Sequence, residues 1–442
     1  MTRIFPDYTY GPGPRAKCWW DETIAAPDWP TFEGEARVDV AIVGGGFTGI
    51  NAALRLAGAG LSVTVLEAGP PGFGASGRNG GFCCLGGGKI SNAALTRQFG
   101  AEGRRAYRAA EMAAIEHVAA QLKLFGIDAD THSKGETVLA HNDRAASHFI
   151  KEAASVAEDY GVEPGIHSAQ DLTSMGMATS AARGGLSIPL GFALNPRKYL
   201  FGIVDAAIAA GATLAAHSRV TSIAPEGDGH VLRTEQGRLR ADRVIIATNG
   251  YSSEDLPGWL AARYMPAQSS VLVTRPLTQA ELEAQGWTSH QMAYDSRNLL
   301  HYFRLMPDNR MLFGMRGGIL SSPRVEKLSL QRVRQDFDAM FPAWSDVESP
   351  FGWSGMVCLA RNRTPYIGPV PGRPGLFAAM AYHGNGVAMG SYAGHMVAGD
   401  LLNQDADAVP AAMRRPMGRF PFGRFRRVVV PAAYLAMKVA DL

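Results

Sequence analysis

Cysteine is scarce: four in 442 residues, Cys18, Cys83, Cys84 and Cys358. No CxxC or other metal-ligand spacing joins them, so the sequence predicts no metal centre, and free thiols in a cytoplasmic chain are the simplest reading. An excess of one charge is also missing. With 43 basic and 40 acidic residues the formal charge is +3, too balanced to imply a nucleic-acid partner. The arginines gathered at 414–427 read as a solvated surface or an interface. No apolar run reaches the ~18 residues of a membrane span, and residues 1–7 lack the apolar region of a secretion signal. The apolar stretch 428–437 is short and broken by Pro431; it is expected to pack on the protein, with lying on a membrane surface as the other reading. Glycine, by contrast, is plentiful at 51 residues in a chain that is 46% apolar. That combination suits tight ligand loops better than disorder.

The most informative stretch is 38–49. Val38, Val40, Ala41, Ile42 and Val43 form the near-continuous apolar run of a strand covered on both faces. Gly44 and Gly46 then supply a tight turn that lets a pyrophosphate approach, with Phe47 and Thr48 opening a helix and Gly49 packing it on the strand. A second strand, 62–66, ends at Glu67, followed by Ala68. Glu67 lies 18 residues past Gly49, close to the ~20 expected of the acid that holds a ribose. Strand, turn, helix, strand and acid in this order predict an adenine-dinucleotide site.

Further along, helices are expected over 93–125, 145–160, 199–210, 325–341 and 388–402. Strands of parallel type fall at 243–248, 364–368 and 376–380, and better alternating strands fall at 270–274, 299–305 and 311–314. The predicted class is α/β (α+β overall). A Rossmann-like dinucleotide domain is built from separated segments, 37–90, 195–250 and 353–405. An inserted substrate domain, 91–194 and 251–352, rests on a mixed or antiparallel sheet. Residues 1–36 form an N-terminal arm and 406–442 a C-terminal arm or helix.

One fingerprint would suffice for a nicotinamide, but three more glycine-lined elements stand far apart at 72–88, 247–250 and 384–386. A flavin is long and buried, so several segments must approach it. The last element leads into a helix whose positive end suits the negative charge of a reduced flavin. The expected cofactor is therefore FAD.

These residues carry a resemblance. The chain resembles the D-amino-acid oxidase superfamily of FAD enzymes, which includes sarcosine and glycine oxidases, and within it the gamma-glutamylputrescine oxidase branch. The matching motifs are 43–49, 66–68, 74–81 (GASGRNGG), 302–305 with 308–310, 353–355, 363–368 and 384–387. The resemblance implies that Gly44, Gly46 and Gly49 meet the pyrophosphate and that Glu67 meets the ribose. It places Gly74, Ser76, Arg78, Asn79, Gly80 and Gly81 by the ribityl chain and ring. Val220 would meet the adenine, Ala247 and Thr248 the pyrophosphate side, and Gly384, Asn385, Gly386 and Val387 the flavin carbonyl edge. Sarcosine oxidases attach flavin through a cysteine in the region of Cys358, but its spacing to Pro365 is off by one, so attachment is expected to be non-covalent.

The implied reaction removes hydride from the carbon beside an amine and leaves an imine, which water hydrolyses, while O2 becomes H2O2. The partners are thus a small amine or amino acid, with a gamma-glutamylated amine as one option, and O2 or another electron acceptor. His383 is a candidate for amine deprotonation. Arg304 and Arg316, with Arg78, are candidates for a substrate carboxylate. Tyr302, Tyr264 and Tyr382 are candidates for an amine cage. The enzymatic alternative is a dehydrogenase of D- or N-methyl amino acids that passes electrons to a quinone or carrier. The alternative of another class is a tRNA-modifying or partner-bound flavoprotein subunit, against which the balanced charge argues. Oligomeric state stays open, a homo-oligomer included.

Overall fold

The computed structural model describes residues 2–318, 320–404 and 408–441; the boundary expected between 405 and 406 lies outside them. Two eight-stranded sheets carry the architecture. The first runs in the order Tyr366–Pro369, Leu376–Met380, Gly237–Ile246, Gly34–Val43, Val63–Leu66, Thr213–Ala215, with the hairpin Ser222–Glu226 and Gly229–Arg233 added on Gly237–Ile246. Its central strands are parallel, with Val43 opposite both Ile246 and Leu66. Ala41, Ile42, Val65, Val244 and Ile245 are fully buried, as strands covered on both faces must be. Because these strands end in register, the turns that follow them, Gly44 and Ala247, emerge side by side at the carboxyl edge. Ligands bind at that edge in open parallel sheets.

The helix Phe47–Gly58 follows the first turn and packs against Pro196–Ala209 and Ala388–Leu401. Small residues set the spacing. A Cβ on Gly49 would overlap the Gly44 carbonyl oxygen, and one on Gly394 would overlap that of Thr48. Asn195 caps its helix by accepting from Arg197 and Lys198, as the Asn-Pro opening suggests.

The second sheet runs Phe351–Ala360, Tyr264–Val273, Met311–Arg316, His301–Leu305, Met292–Asp295, Glu136–Leu139, Gly184–Ile188, Gly165–Ser168. All its pairs are antiparallel except Met292–Asp295 with Glu136–Leu139. The strand Phe351–Ala360 pairs here along its whole length, register for register with Tyr264–Val273.

The expected long helix is present as Asn92–Leu124, but Gly100, at φ 73° and ψ 178°, breaks its regularity near the start. The N-terminal arm lies on the body: Phe5, Tyr10, Trp20 and Trp29 are buried, and the Trp20 indole donates to the Asn79 carbonyl at 2.8 Å. Arg15 reaches the carbonyls of Gly72 (2.8 Å) and Gly77 (3.1 Å), bracing the loop that leads to Arg78. The C-terminal segment departs from expectation. The helix Val430–Ala440 buries none of its residues, and Leu435 and Val439 are more than half exposed. It is tied to the body at Tyr434, which bonds the Gly318 backbone, and at its end through Asp441, which accepts from the Asn298 amide at 3.0 Å. Pro431 at the first turn lets the helix start.

Candidate active site

One large cavity, of about 780 Å³, opens at the carboxyl edge of the first sheet and extends to the face of the second. It is lined by Gly44, Gly46, Phe47, Thr48, Glu67, Ala68, Gly74, Ser76, Arg78, Asn79, Gly80, Val220, Ala247 and Thr248. Gly384, Asn385, Gly386, Val387, Tyr302 and Arg316 complete the predicted lining. Segments over 340 residues apart in the sequence thus face one space.

The dinucleotide end is a cradle without side chains. Gly44 turns at φ 110°, and an added Cβ would sit 2.9 Å from the Ala247 carbonyl oxygen. The helix Phe47–Gly58 has no side-chain cap apart from the Ser76 hydroxyl, which accepts from the Phe47 amide at 2.9 Å, so its positive end faces the cavity. The Glu67 carboxylate accepts from the Gly45 amide (2.9 Å) and the Gly69 amide (3.0 Å), which fixes it at the cavity wall beside the glycine turn. At the other end the helix Ala388–Leu401 also lacks a side-chain cap and presents Gly384 to Val387 to the cavity. Two helix ends turned to the cavity, a braced acid and glycine walls fit a flavin dinucleotide.

Other predicted residues serve as scaffold. Gly49 lies behind the cradle in the helix-to-strand contact. Gly81, at φ 73°, has no room for a side chain beside the Leu194 carbonyl and Arg304. Asn79 organises its own loop: its amide donates to Ala75 and Ser76 carbonyls, and its oxygen accepts from the Gly81 amide at 2.8 Å. Arg78 lies between the rings of Phe73 and Tyr251 (4.9 and 5.5 Å) and donates to the carbonyls of Phe73 and Ser354. With its donors committed to the backbone, it holds the loop rather than a substrate carboxylate.

Three residues read as substrate or catalytic groups do not line the cavity. Arg304 is 1% exposed; it donates to the carbonyls of Gly80 (3.0 Å) and Leu194 (2.8 Å) and to His132 Nε2 (2.7 Å). His383 is locked by the Ala360 amide, which donates to its Nε2 at 3.1 Å, and by the Gly87 carbonyl at 3.3 Å from Nδ1. Burial pulls its pKa down to about 4, so it is neutral near pH 7. Tyr264 is buried and donates to the Ser252 carbonyl at 2.7 Å. Tyr382 does reach the cavity wall, but its hydroxyl bonds Thr48 Oγ1 at 2.9 Å and ties the glycine loop to the helix Phe47–Gly58.

Arg316 behaves differently. Its side chain is enclosed by protein and opens into the cavity beside Gly384 and Asn385, with the Asn385 oxygen 3.4 Å from Nη2. No carboxylate pairs with it among the described residues. Tyr302 stands nearby, its hydroxyl 2.9 Å from Ser269 Oγ and its ring edge-on to Phe82.

The structure also adds residues that sequence reasoning passed over: Lys89, Glu136, Tyr294, Cys84 and, further in, Arg108 with Glu111. Lys89 directly follows the glycine cluster 86–88, and Glu136 heads a fully buried strand. Each is a charged residue where packing asks for an apolar one, the signal that could have found it. Cys358 also borders the cavity, but burial drives its thiol pKa far up. A protonated thiol is a poor nucleophile, in keeping with non-covalent FAD.

Comparison with known proteins agrees with this geometry. The family model described as DAO, FAD dependent oxidoreductase, matches residues 39–399. The chain is similar to gamma-glutamylputrescine oxidoreductase of Escherichia coli strain K12, 30% identical over 421 residues, covering 92% of this chain and 94% of that protein. It is 26% identical to a glycine oxidase of Geobacillus kaustophilus, over 87% of this chain and 98% of that one. The crystal structure of glycine oxidase from that organism superposes with a TM-score of 0.70 at 22% identity, covering 86% and 100% of the two chains. An L-amino acid deaminase from Proteus myxofaciens also reaches 0.70, at 17% identity over 89% and 95%. The match over most of its length, on a cavity built to hold the cofactor, shows that the chain belongs to the DAO family of FAD-dependent oxidoreductases.

Proposed function

We propose that the chain oxidises an amine that also carries a carboxylate, with O2 as the electron acceptor. A gamma-glutamylated amine is the substrate type that fits best. The observation that carries this reading is Arg316, a guanidinium enclosed in the cavity beside the Gly384–Asn385 turn without a carboxylate of its own. An unpaired buried charge is costly to keep, and a planar fork of donors matches a carboxylate. The similarity to gamma-glutamylputrescine oxidoreductase over most of both chains supports the choice of substrate.

FAD held between the Gly44–Thr48 and Gly384–Val387 segments would supply the two-electron acceptor for the hydride on the carbon bearing the amine. The C–H electron pair leaves, the amine lone pair closes C=N, and hydrolysis of the imine gives an aldehyde or keto product with ammonia or an amine. With O2 as acceptor, those two electrons and two protons would give H2O2. The protein's part is to place that carbon. Arg316 fixes the carboxylate, Tyr302 and Phe82 wall the cavity, and the helix Ala388–Leu401 turns its positive end toward it. His383 takes no proton here, since both ring nitrogens face backbone groups.

A peroxide-release assay over gamma-glutamylputrescine, putrescine, D-amino acids and N-methyl amino acids tests this. The expected result is turnover of the carboxylate-bearing amine with stoichiometric peroxide. Reduction of the flavin without reoxidation by air would instead identify a dehydrogenase.

A further inference from the structure

Glu136 opens the strand Glu136–Leu139, between Ile188 on one neighbouring strand and Met292 on the other. It is 2% exposed and lines the same cavity as Arg316 and Lys89. Its Oε2 has no hydrogen-bond partner among the described residues, and the nearby Cys84 thiol is weak compensation for the other oxygen. A buried acceptor without a donor is costly to keep, and a carboxylic acid in the middle of a sheet core is hard to retain without a function. Burial pushes its pKa up to about 8. Lys89 faces the same space; the neighbouring Arg316 charge, then burial, pull its pKa down to about 8. No carboxylate is ion-paired to Lys89 or Arg316 among the described residues. The cavity wall thus holds two cations in want of an anion and one carboxyl in want of a donor, close enough to perturb one another.

We infer that Glu136 is a specificity-determining residue that accepts the free ammonium of an α-amino-acid head on the substrate, while Arg316 and Lys89 take the carboxylate of that head. The inference rests on the proposed oxidation of a carboxylate-bearing amine and deepens it. An ammonium brings three donors and a full charge to an acceptor that has neither. It also favours the ionised form of Glu136, turning a buried liability into a charge-assisted bond. The preferred substrates are then amines bearing a complete zwitterionic head, such as γ-glutamyl amides. A bare diamine offers no carboxylate, and a glutaryl amide offers no ammonium; each leaves one pole unsatisfied.

The test titrates the holoenzyme with two ligands that lack an oxidisable terminal amine, γ-L-glutamylethylamide and N-ethylglutaramate. They differ in the α-ammonium alone, and binding is followed by heat and by perturbation of the flavin spectrum. The wild type is expected to bind the first at least about tenfold more tightly. Glu136→Gln is expected to bind both alike, with flavin content and affinity for N-ethylglutaramate unchanged. Glu136→Asp keeps the charge and is expected to retain part of the preference, which covers a failure of the glutamine variant to fold. Equal binding by the wild type, or a preference that survives in Glu136→Gln, overturns the assignment. A Glu136-dependent preference without turnover of γ-glutamylputrescine would instead overturn the proposed reaction and leave the role of Glu136 standing.

Discussion

Arg316 and Arg304 stand twelve residues apart on neighbouring strands, and their surroundings give them opposite tasks. Replacing Arg316 with Met should raise KM for a carboxylate-bearing amine and lower kcat/KM by about 10²–10³-fold, the loss expected of a charge-assisted contact. FAD content should not change. Arg304→Met should do the reverse. It strands the Gly80 and Leu194 carbonyls and His132, so thermal unfolding moves to lower temperature, while KM for the carboxylate-bearing amine in whatever folds is little altered. Sequence alone ranks the two arginines together, because what separates them is which donors the backbone has already claimed. His383 makes the same point. His383→Gln should leave the pH profile of kcat/KM unmoved, with activity reduced far less than the ~10²–10⁴-fold that loss of a general base costs. A shift of the acidic limb would return His383 to the proton-transfer role that its hydrogen bonds exclude.

Among the elements, the strand–glycine–helix unit at the amino end was legible because its chemistry is local. Gly44 makes the tight turn and Gly49 the helix-to-strand contact that their spacing predicts, and Glu67 borders the cavity they open onto. Gly49→Ala should abolish FAD binding or soluble folding, since a methyl overlaps the Gly44 carbonyl and pushes the helix off the strand; flavin retained after gel filtration would contradict this. Strand partners were not legible. Nothing near 351–360 announces that this strand pairs with Tyr264–Val273, or that Glu136 lies across from Met292, because those pairings are set by loop closure over long separations. Nor does the sequence show the site that joins the second sheet to the helix Pro323–Met340. There His301 lies 2.7 Å from Asp295 and 3.3 Å from Asp336, stacked on Phe313. Burial lowers the His301 pKa, but the hydrogen bonds to Asp295 and Asp336 more than offset it and bring it to about 9. A folded pKa above the unfolded ~6.5 means stabilisation that is complete below pH ~6.5 and is lost as pH rises through about 9. Denaturant melts of wild type and His301→Gln should therefore differ by about 2 kcal/mol at pH 6 and converge above pH 9. A difference independent of pH would assign His301 to packing alone.

Across the whole molecule, the cavity is where the two sheets meet, and the cofactor contributes to stability as well as chemistry. A ligand that binds only the folded chain adds about 2.7 kcal/mol at a hundred times its Kd. Stripping FAD should lower the melting temperature, and adding it back should restore both the melting point and the colour. The class of cofactor could be read from the sequence because glycine turns repeat wherever a backbone must approach it. Of the residues proposed for the substrate end, Arg316 could be named from the sequence, though not told apart from Arg304, whereas Lys89 and Glu136 could not, because the three come from separate segments joined only by folding. The most direct measurement is an anaerobic titration of the purified yellow holoprotein with γ-glutamylputrescine, followed by admission of air. Bleaching of one flavin per chain by a stoichiometric amount of amine, then return of the colour with release of H2O2, is the predicted result. A colourless protein that takes up no FAD, or a flavin that this amine leaves oxidised, would contradict it.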